Sequence, residues 1–338
     1  MAPGMPDAPG MPGERDALGG GAYHPFSLKA AIELASPPTW AAALMPAVVG
    51  GALAIATGGV GFGEPLSLLR TGGAWLLVTL TALLLQAAAN TLNDYHDFLN
   101  GTDTSKTVLD TSDASIVYNH IDPRDALRFG IGLLAGAAIT GLAAVVLSSW
   151  ILVGIGLVAA GVVVAYSAGA KPLSFLPLGE VLSGLVMGLF ITFAAFYVVT
   201  LDLSAAPWVL LVCVVPVITI ALIMQTNNTC DIERDIEAGR RTLPVLLGRA
   251  RSQRLAQVLA WGTVAWMLLV SLLFWPLGVL VVLAVAVVLR QRLHRVATGP
   301  YNLENRRVMM GNATAFCYGA NLAWAAAILS DIPLGGLL

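Results

Sequence analysis

Charge is scarce in this chain. Only 11% of its 338 residues are Asp, Glu, Lys or Arg, whereas 57% are hydrophobic. Soluble domains average about 25% charged residues, so an ordinary soluble domain is excluded and the chain reads as an integral membrane protein. Cysteine is scarce too. Cys213, Cys230 and Cys317 lie in or beside apolar runs without metal-ligand spacing, which excludes a disulfide framework and a thiolate metal site. They read as small buried hydrophobes. Ionisable residues are nearly missing from the middle of the apolar runs. A cation-coupled transporter keeps such residues near the bilayer midplane, so their absence counts against that class without closing it.

What is present is long apolar sequence. Runs of about 20 residues, enough to span a bilayer, occur at roughly 40–58, 74–95, 126–147, 150–167, 181–201, 207–229, 254–274, 276–290 and 312–330. The expected fold is therefore all-α: a polytopic membrane protein of about nine helices. Several runs are rich in Gly and Ala (Gly130 to Gly141, Gly154 to Gly161), which permits close helix packing in lipid. Residues 1–25 are Pro/Gly-rich and lack an apolar core, so they are expected to be a flexible tail rather than a signal peptide, with one membrane domain over 26–338. Lys29 to Ser36 suits an interfacial helix leading into the first span.

The cations set the orientation. With a cytoplasmic N-terminus, seventeen of the eighteen Lys and Arg residues fall on the cytoplasmic side and only Arg70 on the other. That bias predicts a multi-pass protein of the cell (inner) membrane.

Two acidic stretches then stand out on that cytoplasmic side, at the exits of the second and sixth runs. Asn90, Asp94 and Asp97 are spaced i, i+4, i+7, and Asn227, Asp231 and Asp235 are spaced i, i+4, i+8, so each set shares one helical face. From Asn90 to Asn227 is 137 positions, as it is from Asp94 to Asp231. One such cluster is what a solvated helix end often carries; two matched ones argue for a shared site. Carboxylates beside hydrocarbon need counter-charge, and an oxygen-rich cluster suits Mg2+ (Mn2+ being a possible substitute) together with substrate phosphate oxygens.

The cytoplasmic loops add polar candidates. The stretch 96–125 is long and polar and is expected to form a lid. Lys106, Arg240 and Arg241 are candidate diphosphate clamps, although topology alone would also place cations there. Tyr166, Ser167 and Lys171 sit together after the fourth run. His96 points off the acidic face and reads as structural. In the fifth run Phe190, Phe193, Phe196 and Tyr197 are spaced for one aromatic face, either packing toward lipid or lining a site for an apolar chain.

The stretches NDYHDFLNGTD and NNTCDIERDIEAGRRTLPVLLGR resemble the UbiA superfamily of intramembrane prenyltransferases. The Gly101-x-Asp103 ending of the first motif, and YSAGAKPLSFLPLGEV, are similar to the 1,4-dihydroxy-2-naphthoate polyprenyltransferase branch of menaquinone synthesis. The resemblance covers roughly residues 30–330. It implies nine helices around a cavity open sideways to lipid, with a cap on the cytoplasmic side. It also implies Mg2+ held by Asp94, Asp97, Asp231 and Asp235. Tyr166 and Lys171 would join these in catalysis, and Asn90, Asn93, Asp103, Lys106, Ser167, Asn227, Asn228, Arg240 and Arg241 would bind substrate. The implied partners are a polyprenyl diphosphate, an aromatic acceptor and the lipid bilayer, with no nucleic acid. Two departures concern the acceptor: Ala35-Ser36-Pro37-Pro38 lacks the basic residue often found before the first span, and the insert SKTVLDTSDASIVYNHIDP replaces a shorter Gly-rich segment. Other acceptors within the superfamily therefore stay open.

Overall fold

The computed structural model describes residues 23–58, 65–100, 114–167 and 172–332. Every apolar run becomes helix. In chain order these are α1 (Leu28–Ala35), α2 (Ala41–Ala56), α3 (Pro65–Leu99), the single turn α4 (Ser115–Tyr118), α5 (Pro123–Leu147) and α6 (Ile151–Ser167). There follow α7 (Gly179–Thr200) and α8 (Ala206–Cys230), then the short α9 (Ile232–Glu237) and α10 (Leu243–Leu247). The chain closes with α11 (Arg249–Phe274), α12 (Pro276–Thr298) and α13 (Arg306–Leu329).

Among the described residues, six helices are long and apolar enough to cross a membrane, or seven if α1 and α2, bent by 54° at their junction, count as one span. Of the nine expected spans, α2 passes only together with α1, and two more fall short of that test for physical reasons. α6 is apolar but short. α13 carries Arg306, Arg307, Asn312 and Asn321 along its 24 residues, and it hides its amides: Asn321 Nδ2 donates to Thr219 Oγ1 at 2.9 Å inside the bundle. The outer surface is what a lipid-facing wall requires. Leu66, Val146 and Val288 are 80%, 84% and 78% exposed, values that a water-soluble fold would not tolerate across so many neighbouring positions.

The α1–α2 break has a definite cause. Ser36 adopts a left-handed backbone (φ 47°) before Pro37 and Pro38, and a residue ahead of proline is pushed out of the helical region. The Ala35 carbonyl thereby loses its helical partner. It accepts instead from Trp40 Nε1 at 2.9 Å and from Asn90 Nδ2 at 3.1 Å, which ties the break to α3.

Close approaches fix the rest. A Cβ on Gly130 of α5 would come within 2.9 Å of Leu92 on α3, and one on Gly188 of α7 within 2.6 Å of the Val217 backbone on α8. Around Gly188 the helix widens to a π segment, Gly184–Phe190, a distortion common near functional sites. The packed interior gathers Trp324, Phe316, Phe196 and Leu222, all essentially inaccessible.

Candidate active site

The C-terminal ends of α3, α6 and α8 and the N-terminal ends of α5, α7 and α13 meet at one end of the bundle. A cavity of about 1090 Å³ opens there and runs inward between the helices. Its mouth is polar, with Asn93, Asp94, Asn227, Asn228, Arg240 and Arg306. Its depth is apolar, with Leu142, Val145, Leu152, Phe190 and Ile191.

The two acidic stretches face each other across Arg240. Its guanidinium pairs with Asp97 of α3 and lies 3.9 Å from Asp235 of α9, and it packs over the Phe175 ring at 5.2 Å. Asn93 Nδ2 donates to Asp97 at 2.9 Å, and Thr242 Oγ1 donates to Asp235 at 2.8 Å. Asp231 has a second cation: Arg306 Nε donates to it at 2.9 Å, while Arg306 Nη2 donates to Asn227 Oδ1 at 2.8 Å. Asp94 accepts from the Ser115 backbone N–H at 3.2 Å, which docks the turn α4 over the first stretch. Asp97, Asp231 and Asp235 are all buried. Burial pushes the Asp235 carboxyl up to about 6, although Thr242 and Arg240 pull the other way.

Several sequence expectations are redrawn. Asn90 shares a face with Asp94, but its amide also serves the α1–α2 break, donating to Thr39 Oγ1 at 2.8 Å as well as to Ala35. The aromatic face of the fifth run does not form as one surface. Phe190 alone of the four lines the cavity; Phe193 stacks on Tyr197 at 5.8 Å, and Phe196 is fully enclosed in the core. The three lie in the regular segment Ile191–Thr200 and pack into the bundle interior, which spacing along one helix does not disclose. Arg241 is exposed and lies outside the cavity lining, unlike Arg240. Tyr166 does line the cavity, its hydroxyl 3.6 Å from Met224 Sδ. Asp103, Lys106 and Lys171 lie outside the described residues, as does the Ser167 side chain.

Three residues at the site escaped the sequence reading. Arg306 and Arg307 line the cavity but were weighed only as topology signals. Their position is the clue, because cations in the first turn of a helix oppose its dipole and call for a local reason. Glu180 is a carboxylate at the start of an apolar run, 4% exposed.

Fit to a divalent cation rests on the donor chemistry. Among the described residues no three His, Cys, Asp or Glu groups converge on one point. Mg2+ does not require that, since it is typically held by one or two carboxylates with phosphate and water oxygens completing the shell. Asp94 with Asp97, and Asp231 with Asp235, offer two such carboxylate pairs, and the arginines between them supply positive charge in the same space. The residues fit the ion.

The fold and this site define a polytopic helical membrane protein built around an apolar cavity with an acidic, arginine-bridged mouth. Residues 43–319 match the UbiA prenyltransferase family, and the chain belongs to it. The 1,4-dihydroxy-2-naphthoate octaprenyltransferase of Bacillus subtilis is 30% identical over 64% of this chain; the match spans 65% of that protein, just under two thirds of its length. The protein of the same name from Haemophilus influenzae is 29% identical over 65% of this chain and 70% of its own. Among solved structures, a UbiA homolog from Archaeoglobus fulgidus bound to GPP and Mg2+ shares the fold, with a TM-score of 0.59 at 18% identity over 89% of this chain and 99% of that one.

Proposed function

We propose that this protein transfers a polyprenyl group from its diphosphate to a ring carbon of an aromatic acceptor, 1,4-dihydroxy-2-naphthoate being the acceptor favoured by the relatives. The observation that carries the reading is the meeting of Asp97 and Asp235, one from each acidic stretch, on the Arg240 guanidinium at the mouth of an apolar cavity. A diphosphate head and a hydrocarbon tail are matched by that pairing of surfaces. The orientation that puts this mouth on the cytoplasmic side follows from the seventeen-to-one bias of the cations.

Asp94, Asp97, Asp231 and Asp235 would hold Mg2+. When bound, the ion supplies charge neutralisation to the departing diphosphate. Arg240 and Arg306 offer planar donor forks to the same oxygens. The allylic C–O bond breaks, its electron pair leaving with the diphosphate. Tyr166 and Phe190 present ring faces to the carbon cation, each contact worth about 0.5–2 kcal/mol. The electron-rich ring carbon then forms the new C–C bond and gives up its proton; with a dihydroxynaphthoate the carboxylate leaves as CO2 and a proton takes its place on the ring. The apolar depth keeps water from capturing the cation.

The direct test is mass spectrometry of products from membranes given a prenyl diphosphate and a panel of aromatic acids. A prenylated, decarboxylated naphthoquinol is expected, lost on chelation and restored by Mg2+ or Mn2+. Full turnover in excess EDTA after removal of bound metal would sink the metal-dependent reading; prenylation of another ring alone would sink the acceptor.

The buried Asp235 carboxyl adds a pH dependence. Metal binding requires the ionised form, so the Mg2+ concentration for half-activity should rise as pH falls below about 6, by up to about tenfold per unit. In the metal-free protein the sign reverses. A carboxyl raised from 3.8 to about 6 takes up its proton earlier in the folded chain than in the unfolded one, so stability should fall as pH rises between those values. Asp235→Asn should flatten both profiles, and a profile that the substitution leaves unchanged would assign it to another group.

Phe190 and Phe196 should separate cleanly. Phe196→Ala empties a fully enclosed site and should cost about 3–5 kcal/mol of stability. Phe190→Ala, at the cavity wall, should lower kcat several-fold with little change in thermal midpoint. Thermal unfolding in detergent beside steady-state rates decides the pair.

A further inference from the structure

Glu180 begins α7 behind the cavity wall and is 4% exposed. Its Oε1 accepts from Asn228 Nδ2 at 2.9 Å, and its Oε2 has no hydrogen-bond partner among the described residues. No Lys, Arg or His lies within ion-pair distance of it there. A buried acid held by one neutral hydrogen bond is a poor stability device, since a well-packed apolar residue does as well or better. Its orphaned oxygen calls for a reason.

The reason lies in the amide it touches. A side-chain amide has a donor end and an acceptor end. The Oε1 acceptor of Glu180 takes the Nδ2 end of Asn228, and Oδ1 is turned the other way. Asn228 lines the cavity. Its Oδ1 receives only a long contact from Asn227 Nδ2 at 3.4 Å, which leaves acceptor capacity at the wall. Tyr166 closes the same corner: a Cβ on Gly179 would stand 3.5 Å from Tyr166 Oη and 3.8 Å from Asn228 Nδ2.

The mouth is thus divided by hydrogen-bond polarity. Arg240 and Arg306 offer donors only, which suits an anion. The Asn228 oxygen repels a phosphate and welcomes an O–H. We infer that Glu180 is a positioning residue, which fixes the Asn228 amide so that its oxygen accepts a hydrogen bond from a ring hydroxyl of the aromatic acceptor. This rests on the acceptor reading above and adds what recognises the hydroxyl. A wall built to bond a hydroxyl discriminates strongly against a substrate that lacks it, because the buried acceptor is then left unpaired.

The test compares 1,4-dihydroxy-2-naphthoate with 1-hydroxy-2-naphthoate and 4-hydroxy-2-naphthoate, with geranyl diphosphate as donor, in the full-length protein and in Glu180→Gln and Glu180→Asp. Glutamine keeps the shape but can present either end to Asn228, so the amide is free to turn over. The parent is expected to prefer the dihydroxy acid over one monohydroxy acid by at least about tenfold in kcat/KM. Glu180→Gln should lose most of that preference while the KM for geranyl diphosphate stays within about twofold and the thermal midpoint holds. Glu180→Asp, still an acceptor, should keep the preference. An unchanged preference in Glu180→Gln overturns the inference. So does an equal loss toward both substrates with a lowered midpoint, which marks a structural role, or a change confined to the Mg2+ requirement, which gives the Asn228 oxygen to the metal. Failure of the acceptor reading looks different: the parent then turns over none of the three naphthoates, and this inference falls with it.

Discussion

Arg240→Met is expected to destabilise the metal-free protein by about 3–5 kcal/mol and to lower kcat/KM on the order of 10²–10³-fold. Two buried carboxylates, Asp97 and Asp235, share this one guanidinium, and methionine fills the volume while removing the charge from both. Leaving charges buried and unpaired is the expensive direction of breaking an ion pair. Mg2+ should restore much of the stability, because the ion supplies the charge that the side chain no longer does. The increase of the thermal midpoint on adding Mg2+ should therefore be larger in the variant than in the parent. Arg240→Lys should rescue little of the activity, since a point charge does not replace a planar fork that reaches two carboxylates. A variant that Mg2+ stabilises no more than the parent would separate Arg240 from the metal-binding role of the aspartates.

The parts of this site that the sequence disclosed were those written in periodicity and repetition. Asp94 and Asp231 are related by a fixed offset and sit at helix ends, so their convergence on one mouth needs only the alternation of spans across the membrane. Hydropathy likewise placed the helices, because lipid forces every spanning segment to satisfy its own backbone, although α3 starts nine residues before its run and α12 ends eight past its own. Partners across helices were hidden. Arg306 reaches Asp231 from 75 positions away, and nothing local in α13 announces which carboxylate it meets. Phe193, Phe196 and Tyr197 turn into the bundle interior, because one helix's spacing does not say which neighbour its face will meet. Asn90 was read through its neighbours in the motif, yet one of its three side-chain hydrogen bonds answers the carbonyl orphaned by Ser36, a residue with no link to it in sequence. Glu180 stood in the sequence only as part of YSAGAKPLSFLPLGEV, with no role assigned, and its burial against Asn228 depends on how closely α7 and α8 approach.

Asp231→Ala is expected to remove at least about 10³-fold of the turnover, roughly 4 kcal/mol of transition-state stabilisation. It should also lower stability, and the two losses have different origins. The stability loss belongs to the cations around Asp231, above all Arg306, whose guanidinium is largely enclosed and gives its Nε hydrogen bond to Asp231. Without the carboxylate that cation keeps its bond to Asn227 and loses the Asp231 charge, and Arg234, 3.8 Å from Asp231 Oδ1, loses it too. The turnover loss belongs to the missing oxygen ligand beside the diphosphate. Combining Asp231→Ala with Arg306→Met should separate them. Removing both members of a buried pair is far milder than removing one, so the double variant should recover a measurable part of the lost thermal stability, the remainder falling to Arg234. Its turnover should stay as low as that of Asp231→Ala, because neither the metal ligand nor the donor fork returns. A double variant that regained activity along with stability would mean that Asp231 serves only to hold Arg306 in place, and the second acidic stretch would then lose its claim to the metal.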